Sequence, residues 1–500
     1  MKRFIALTAA AVCAACSFSF AGCAESSREV VLRVCSWEEY IDLGGWDDDE
    51  LIDIDNPFGE SEGIFGENSM VDDFTEWFNS NHDYKVKVEY STFGTNEDLY
   101  NRLSLGDEYD LVCPSDYLLM KLIAEGKVEK YSENFRTGEH AYYGEYVSPY
   151  IDGIFEKYGW NEYAAGYMWG TTGLVYNPDR ISDEKDVASW NMLLNEEYKR
   201  QVTIKDNVRD AYFATLGIIN SEKLLSGGFS ENELSDIMND TDGATIEKAQ
   251  EVLKNIKENV YSFETDAGKS DMVTGKVIAN YQWSGDAVYI MDEAETDASE
   301  TELWYSVPEE CANLWFDGWV MLKDSIKGDE RRKEAAEAFV NFLSRPDNAV
   351  RNMYYIGYTS AVAGQTVFDY MEWNYGAEDD AEIYEYDLSY FFGDGEFVVE
   401  ADAANFGFGE DGVSINRGRQ LFAQYPPEEV IKRSVVMLDF GDKLGEINLM
   451  WINVRCLDVK DIPVVAVCVT AAIIIAVAAG ALLYAFRYKL FIKDRKINPS

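Results

Sequence analysis

Three short stretches of the chain set an indole beside hydroxyls and carboxylates. Residues 277–287 begin as a short apolar strand with polar interruptions and run directly into Trp283, Ser284, Gly285 and Asp286. About thirty residues on, Trp315, Phe316, Asp317 and Gly318 repeat the pairing of an aromatic with a carboxylate. Near the N-terminus Trp37, Glu38, Glu39 and Tyr40 form a third copy. Packing alone accounts for a tryptophan at one strand end; three such ends describe a cleft with aromatic walls and acidic ends. That chemistry suits an organic polycation. Its methylenes pack on ring faces, and its ammonium groups are drawn to the ring quadrupole and to carboxylates. Removing an ammonium from water costs several kcal/mol, so each buried charge requires its own anion. Asp286, Asp317 and one of Glu38 or Glu39 supply them.

The elements that position these residues follow from periodicity. Residues 30–34 read as an apolar strand, and positions 71, 74, 77 and 78 lie on one helical face. Residues 84–90 alternate as a strand, a helix extends through Leu103, residues 110–117 form a buried strand with a polar end, and a helix covers 118–125. Strand, helix, strand, helix, strand is the α/β doubly wound pattern, in which ligands sit beyond the carboxyl ends of strands. Trp37 and Ser115 occupy two such ends. Between the first strand and first helix lies an acidic insert, 42–68; Pro57 and Phe58 stand where a calcium loop needs a ligand and a glycine, so it reads as a solvated loop.

Five hundred residues suffice for two or more lobes, and a formal net charge of −48 repels nucleic acid. With histidine only at 82 and 140, imidazole metal sites and triads are not expected, and no metal or cofactor is assigned. Cys35 and Cys113 read first as small buried hydrophobes and second as a bridge. Residues 1–23 have the pattern of a secretory leader ending in Phe20, Ala21, Gly22 and Cys23, which resembles a lipoprotein cleavage box with Cys23 as the lipidated residue. Residues 464–486 carry no charge and are followed by Arg487, Lys489, Lys493, Arg495 and Lys496. At about 1.5 Å per residue such a stretch crosses a bilayer core of roughly 30 Å. The expectation is a C-terminal transmembrane helix with a cytoplasmic basic tail over 487–500.

The order of motifs resembles the spermidine/putrescine-binding proteins of ABC transporters. It is carried by Trp37 to Ile41, Tyr90 to Thr92 with Asn96 and Glu97, Tyr109 to Val112 with Pro114 and Ser115, and Met168 to Leu174. It continues through Ser189 and Trp190, Trp283 to Asp286, Trp315 to Asp317, Phe339 to Asp347, and Ile356 to Tyr358, covering roughly residues 30–360. The resemblance implies a two-lobed periplasmic-binding-protein fold of type II, with strands crossing between lobes near 170–172, near 314–316 and just after Tyr358. The implied parts are lobe 1 over 30–169 with a return over 316–360, and lobe 2 over 170–315 completed by 361–455. It implies partners in a permease and an ATPase, a location outside the plasma membrane, and a tether through lipid, C-terminal helix or both. By motif position it implies ligand contacts from Trp37, Glu38, Glu39, Tyr40, Ser115, Tyr117, Asp210, Trp283, Asp286, Trp315, Asp317 and Tyr358. The segment around Asn207 departs from the spermidine-type pattern, which has a carboxylate there, and Asp210 is shorter than the usual glutamate, whereas Asp286 matches the putrescine-type pattern. Polyamine length therefore stays open.

A rival reading is a carbohydrate-active protein, either a sugar receptor or a glycoside hydrolase, because carboxylates flanked by aromatics also suit sugars. Every candidate charge is acidic, which favours a cationic ligand and binding without catalysis. Residues 267–270 hint at a phosphate loop, but Phe263 replaces the upstream glycine.

Overall fold

In a computed structural model, which describes residues 29–59, 63–296 and 301–456 together with 477 and 479, the alternating strands and helices form a large mixed sheet with helices on its faces, and Ile383–Asp387 and Val398–Asp402 pair as a separate two-stranded sheet. Strand β1 (Glu29–Trp37) pairs in parallel with β2 (Lys85–Phe93) and with the two-residue strand β3 (Leu111–Val112). Between β1 and β2 the helix Met70–Asn81 begins where Ser69 accepts a hydrogen bond from Asp72 N, and buries Met70, Phe74 and Phe78 at four-residue spacing. Helix α1 (Asp116–Ala124) leaves β3 through Ser115.

Two long strands connect this half to the rest. Every residue of β4 (Ala164–Tyr176) is buried, and β7 (Ala312–Leu322) is equally buried and pairs antiparallel with it. Burial on both faces explains their continuous apolar and small composition. The end of β7 pairs with β3 on one side and with the start of β4 on the other, while the far end of β4 pairs with β6 (Ala279–Trp283). Strand β6 runs parallel to β5 (Val202–Lys205), which feeds helix α2 (Val208–Ile219), and it passes without a loop into helix α3 (Ser284–Thr296).

Residues 361–455 touch both halves. Ser148 Oγ donates to Phe391 O at 2.6 Å, Gln420 Nε2 donates to Asp292 Oδ1 at 2.9 Å, and the helix Leu444–Arg455 receives Lys257 Nζ at Val454 O, 2.6 Å.

Two expectations change, and the first reading of the cysteines holds. The expected transmembrane helix is corrected: no helix among the described residues is long and apolar enough to cross a membrane. The last full helix, Leu444–Arg455, has 12 residues and turns Ile447, Met450 and Val454 into the protein core; residues 464–486 themselves lie outside the described residues, as does Cys23. The acidic insert is not simply a solvated loop. Asp42 is fully buried, accepts from Arg351 Nη2 at 2.5 Å and Trp46 Nε1 at 3.0 Å, and Ile52 and Ile64 bridge inside the core. Cys35 and Cys113 are free and buried, joined through their backbones rather than their sulfurs.

Candidate functional site

Asp317 owes its position to an irregularity in β7. Leu314, Trp315 and Phe316 pair with Thr171, Gly170 and Trp169, but the register then shifts so that Gly318 meets Gly166. Asp317 falls at the shift and bridges to Ser115 at the head of α1. Such bulges re-aim a side chain out of the pleat. Here the carboxylate turns toward Tyr40, whose hydroxyl donates to Oδ2 at 2.5 Å, while Oδ1 is buried with no donor among the described residues. Burial pushes the Asp317 carboxyl up to about 6, against the opposing hydrogen bonds from Ser115 and Tyr40. Its neighbour Asp116 is pushed up to about 8 by burial and by the Asp317 charge, so it is mostly neutral near pH 7. Asp116 is already engaged by the backbone N–H groups of Tyr117 (2.7 Å) and Phe316 (3.3 Å).

An aromatic wall surrounds this carboxylate. The Tyr40 ring meets Tyr167 and Tyr358 edge-on, each at 5.5 Å between centres, and Trp315 lies 5.5 Å from Tyr358 with its Nε1 donating to Thr171 O at 3.1 Å. Trp37 packs on Phe93 at 4.7 Å, and its buried Nε1 has no acceptor among the described residues. Trp315 belongs to one apolar cluster, and Trp37 and Trp283 pack against that same cluster. Glu38 and Glu39 differ: both are exposed, at a turn where Glu39 takes a positive φ of 53°.

Asp286 stands on the other side. Because α3 starts immediately after β6, Trp283 ends the strand and Asp286 sits in the first helical turn, where the helix dipole favours an anion. Parallel pairing of Val202 with Ala279 and Thr203 with Asn280 brings Lys205 alongside the same strand end. Lys205 is fully buried; its Nζ lies 3.2 Å from the centre of the Trp283 ring and 3.3 Å from Asp286 Oδ2. The other oxygen, Oδ1, accepts from Lys269 Nζ at 3.2 Å and from the Tyr358 hydroxyl at 3.0 Å. Burial alone would raise the Asp286 carboxyl, but Lys205 and Lys269 outweigh it and hold it below the ordinary value. Burial pushes the Lys205 ammonium down, opposed by Asp286. Two glycines permit this density: a Cβ on Gly285 would lie 1.7 Å from Tyr358 Cδ1, and one on Gly170 would lie 2.2 Å from Ser284 Oγ.

The start of α2 supplies the third part. Asn207 caps the helix, its Oδ1 accepting from Arg209 N at 2.8 Å and Asp210 N at 3.4 Å. Asp210 is 2% exposed; its Oδ1 has no donor among the described residues, and burial pushes its carboxyl up to about 6 against the pull of Lys205 and the Trp283 indole. Next to it the Arg209 guanidinium lies 3.7 Å from the centre of the Tyr117 ring and 4.2 Å from that of Phe440, and binds Asp439 at 3.2 Å. Tyr117 thus meets a cation from the other half of the molecule.

Nine of the twelve expected residues are therefore drawn into the contacts around Asp317 and Asp286: Tyr40, Ser115, Trp283, Asp286, Trp315, Asp317 and Tyr358, with Asp210 and Tyr117 reached through Lys205 and Arg209. Trp37 borders them through the shared apolar cluster. The expectation that all the charges are acidic is corrected by Lys205, Lys269 and Arg209. Lys205 directly precedes the segment read for Asp210, and Lys269 belongs to the rejected phosphate loop. Nothing local marks Lys205 as facing Asp286, because that follows from strand pairing across about eighty residues, and Lys269 reaches it from the helix Ala267–Val273.

Residues 69–365 match the family described as bacterial extracellular solute-binding protein. The chain is 32% identical over 275 residues to the spermidine/putrescine-binding periplasmic protein of Salmonella typhimurium, covering 55% of this chain and 70% of that one. It is 26% identical over 362 residues to the putrescine-binding periplasmic protein SpuD of Pseudomonas aeruginosa, covering 69% and 82%. Its fold is similar to that of the spermidine/putrescine ABC transporter substrate-binding protein PotD from Streptococcus pneumoniae, with a TM-score of 0.54 at 22% identity, covering 85% of this chain and 98% of that one.

Proposed function

The chain belongs to the bacterial extracellular solute-binding protein family, and from that premise we propose that it captures polyamines outside the cell membrane and delivers them to the permease and ATPase of an ABC transporter. The ligand class is that of the named relatives, spermidine and putrescine. The observation that carries this reading is a pair of carboxylate oxygens, Asp317 Oδ1 and Asp210 Oδ1, each buried without a protein donor and close to tryptophan or tyrosine rings. An ammonium group supplies the missing donor to each oxygen and a counter-charge to Asp317, and the rings take up the methylenes between. A neutral sugar would leave the Asp317 carboxylate without a counter-charge, which disfavours the carbohydrate reading.

In this account the protein binds and releases its ligand without breaking bonds. Lobe 1 (30–169 with 316–360) and lobe 2 (170–315 with 361–455) close around the amine, with Arg209 stacking on Tyr117 across the gap. Removal of a leader at Cys23 and lipidation of that cysteine would hold the protein at the outer membrane face; incorporation of labelled palmitate, abolished by Cys23→Ala, tests this. Titration calorimetry with putrescine, spermidine and a neutral oligosaccharide tests the ligand class. One-to-one binding of an amine is expected, and heat from the sugar alone would end the polyamine reading.

A further inference from the structure

Three carboxylates face the site from different elements, and they are not equivalent. Asp317 on β7 and Asp210 on α2 each keep a buried oxygen with no donor among the described residues. Asp286 on α3 is saturated: Oδ2 is taken by Lys205, and Oδ1 by Lys269 and the Tyr358 hydroxyl. Both oxygens of Asp116 are already held by backbone N–H groups, which leaves neither to accept from a ligand ammonium. Lys205 does more than pair with Asp286. Its ammonium lies over the Trp283 ring at 3.2 Å, the position a ligand amine would take against that indole.

We propose that Lys205 is a resident cation occupying one ammonium position of the site, so that two carboxylates remain for the ligand and the protein selects diamines over triamines. This deepens the polyamine reading and rests on it. The selectivity has two parts. A diamine such as putrescine matches the two free carboxylate oxygens, one ammonium to each. A triamine such as spermidine must place its third ammonium near Lys205 and Lys269, where Asp286 is already doubly paired and two like charges oppose entry. Lys205 cannot withdraw readily. It is fully buried and closes a strand hydrogen-bonded to two neighbours, Ser262–Glu264 and β6. Discrimination therefore comes from a positive charge belonging to the protein, not from a missing acid.

Calorimetry with putrescine and spermidine on the wild type, Lys205→Met and Lys205→Gln tests the inference. Methionine keeps the unbranched stem under Trp283 and removes the charge; glutamine serves if the methionine variant does not fold. The wild type is expected to bind putrescine at least tenfold more tightly than spermidine. Each folded variant is expected to shift that ratio toward spermidine by at least tenfold. Equal or tighter binding of spermidine by the wild type overturns the inference without any variant, as does an unmoved ratio in the variants. If the wild type binds neither amine, the polyamine reading itself fails, an outcome distinct from amine binding without selectivity.

Discussion

Replacing Asp317 by asparagine separates what this carboxylate costs the fold from what it does for an amine. Asp317 is 5% exposed, and its carboxyl is raised from 3.8 to about 6. At about 1.4 kcal/mol per unit, holding it ionised at pH 7 costs the folded protein on the order of 3 kcal/mol. The sign follows from the direction of the shift. A carboxyl whose folded value lies above its unfolded one penalises the fold fully above about 6, and the penalty fades as pH falls toward 3.8. Asparagine still accepts from the Tyr40 hydroxyl but puts an amide N–H₂ where Oδ1 lacks a donor, a loss of about 1 kcal/mol. The net expectation is a gain of about 2 kcal/mol, or roughly 2 °C in melting temperature for a chain of this size. The gain should be measurable at pH 7 without added amine and absent near pH 3.5. The same substitution removes the counter-charge of a buried ammonium, so amine affinity should fall about a hundredfold or more. Thermal melting at both pH values and calorimetry at pH 7 measure the two effects. A variant that melts lower by the same amount at both pH values, or that binds amine within threefold of the wild type, refutes the reasoning.

Amine affinity should decline as pH drops below about 6, where Asp210 and Asp317 take up protons while the ligand amines stay charged; constant affinity between pH 7.5 and 5 in calorimetry would show that neither carboxyl meets the ligand. Gly285→Ala places a Cβ 1.7 Å from Tyr358 Cδ1 and must drive that ring off Asp286 and Trp315. A tenfold or larger loss of amine affinity is expected, and unchanged affinity would remove Tyr358 from the site. Arg351→Met strands the buried Asp42 carboxylate beneath the acidic insert. It should cost about 3–5 kcal/mol in urea unfolding, and a change below about 1 kcal/mol would mean that the insert is held by its apolar residues instead.

The strand-end motifs could be read before any fold was in hand because each is local. An apolar run that stops at an indole and a carboxylate marks a strand terminus whatever its neighbours are, and in an α/β sheet those termini share one edge. The convergence of Trp37, Trp283 and Trp315 on one cluster follows from that rule. The acidic insert was misread for the opposite reason. Its composition is that of a solvated loop, but its anchor, Arg351, lies about three hundred residues away in sequence. The expected span at 464–486 came from composition too, and no helix among the described residues is long and apolar enough to cross a membrane.

What the chain order alone determined is the α/β alternation, the three aromatic and acidic strand ends, and the scarcity of histidine that leaves binding to rings and carboxylates. Only the tertiary structure decided how those acids are spent. The register shift in β7 turns Asp317 toward Tyr40, and the parallel pairing of β5 with β6 lays Lys205 across Trp283 and onto Asp286. The physical reason is that a residue's type reports its charge, whereas its partner is set by backbone hydrogen bonds between segments far apart in the chain. Which carboxylates remain for a ligand depends on those pairings.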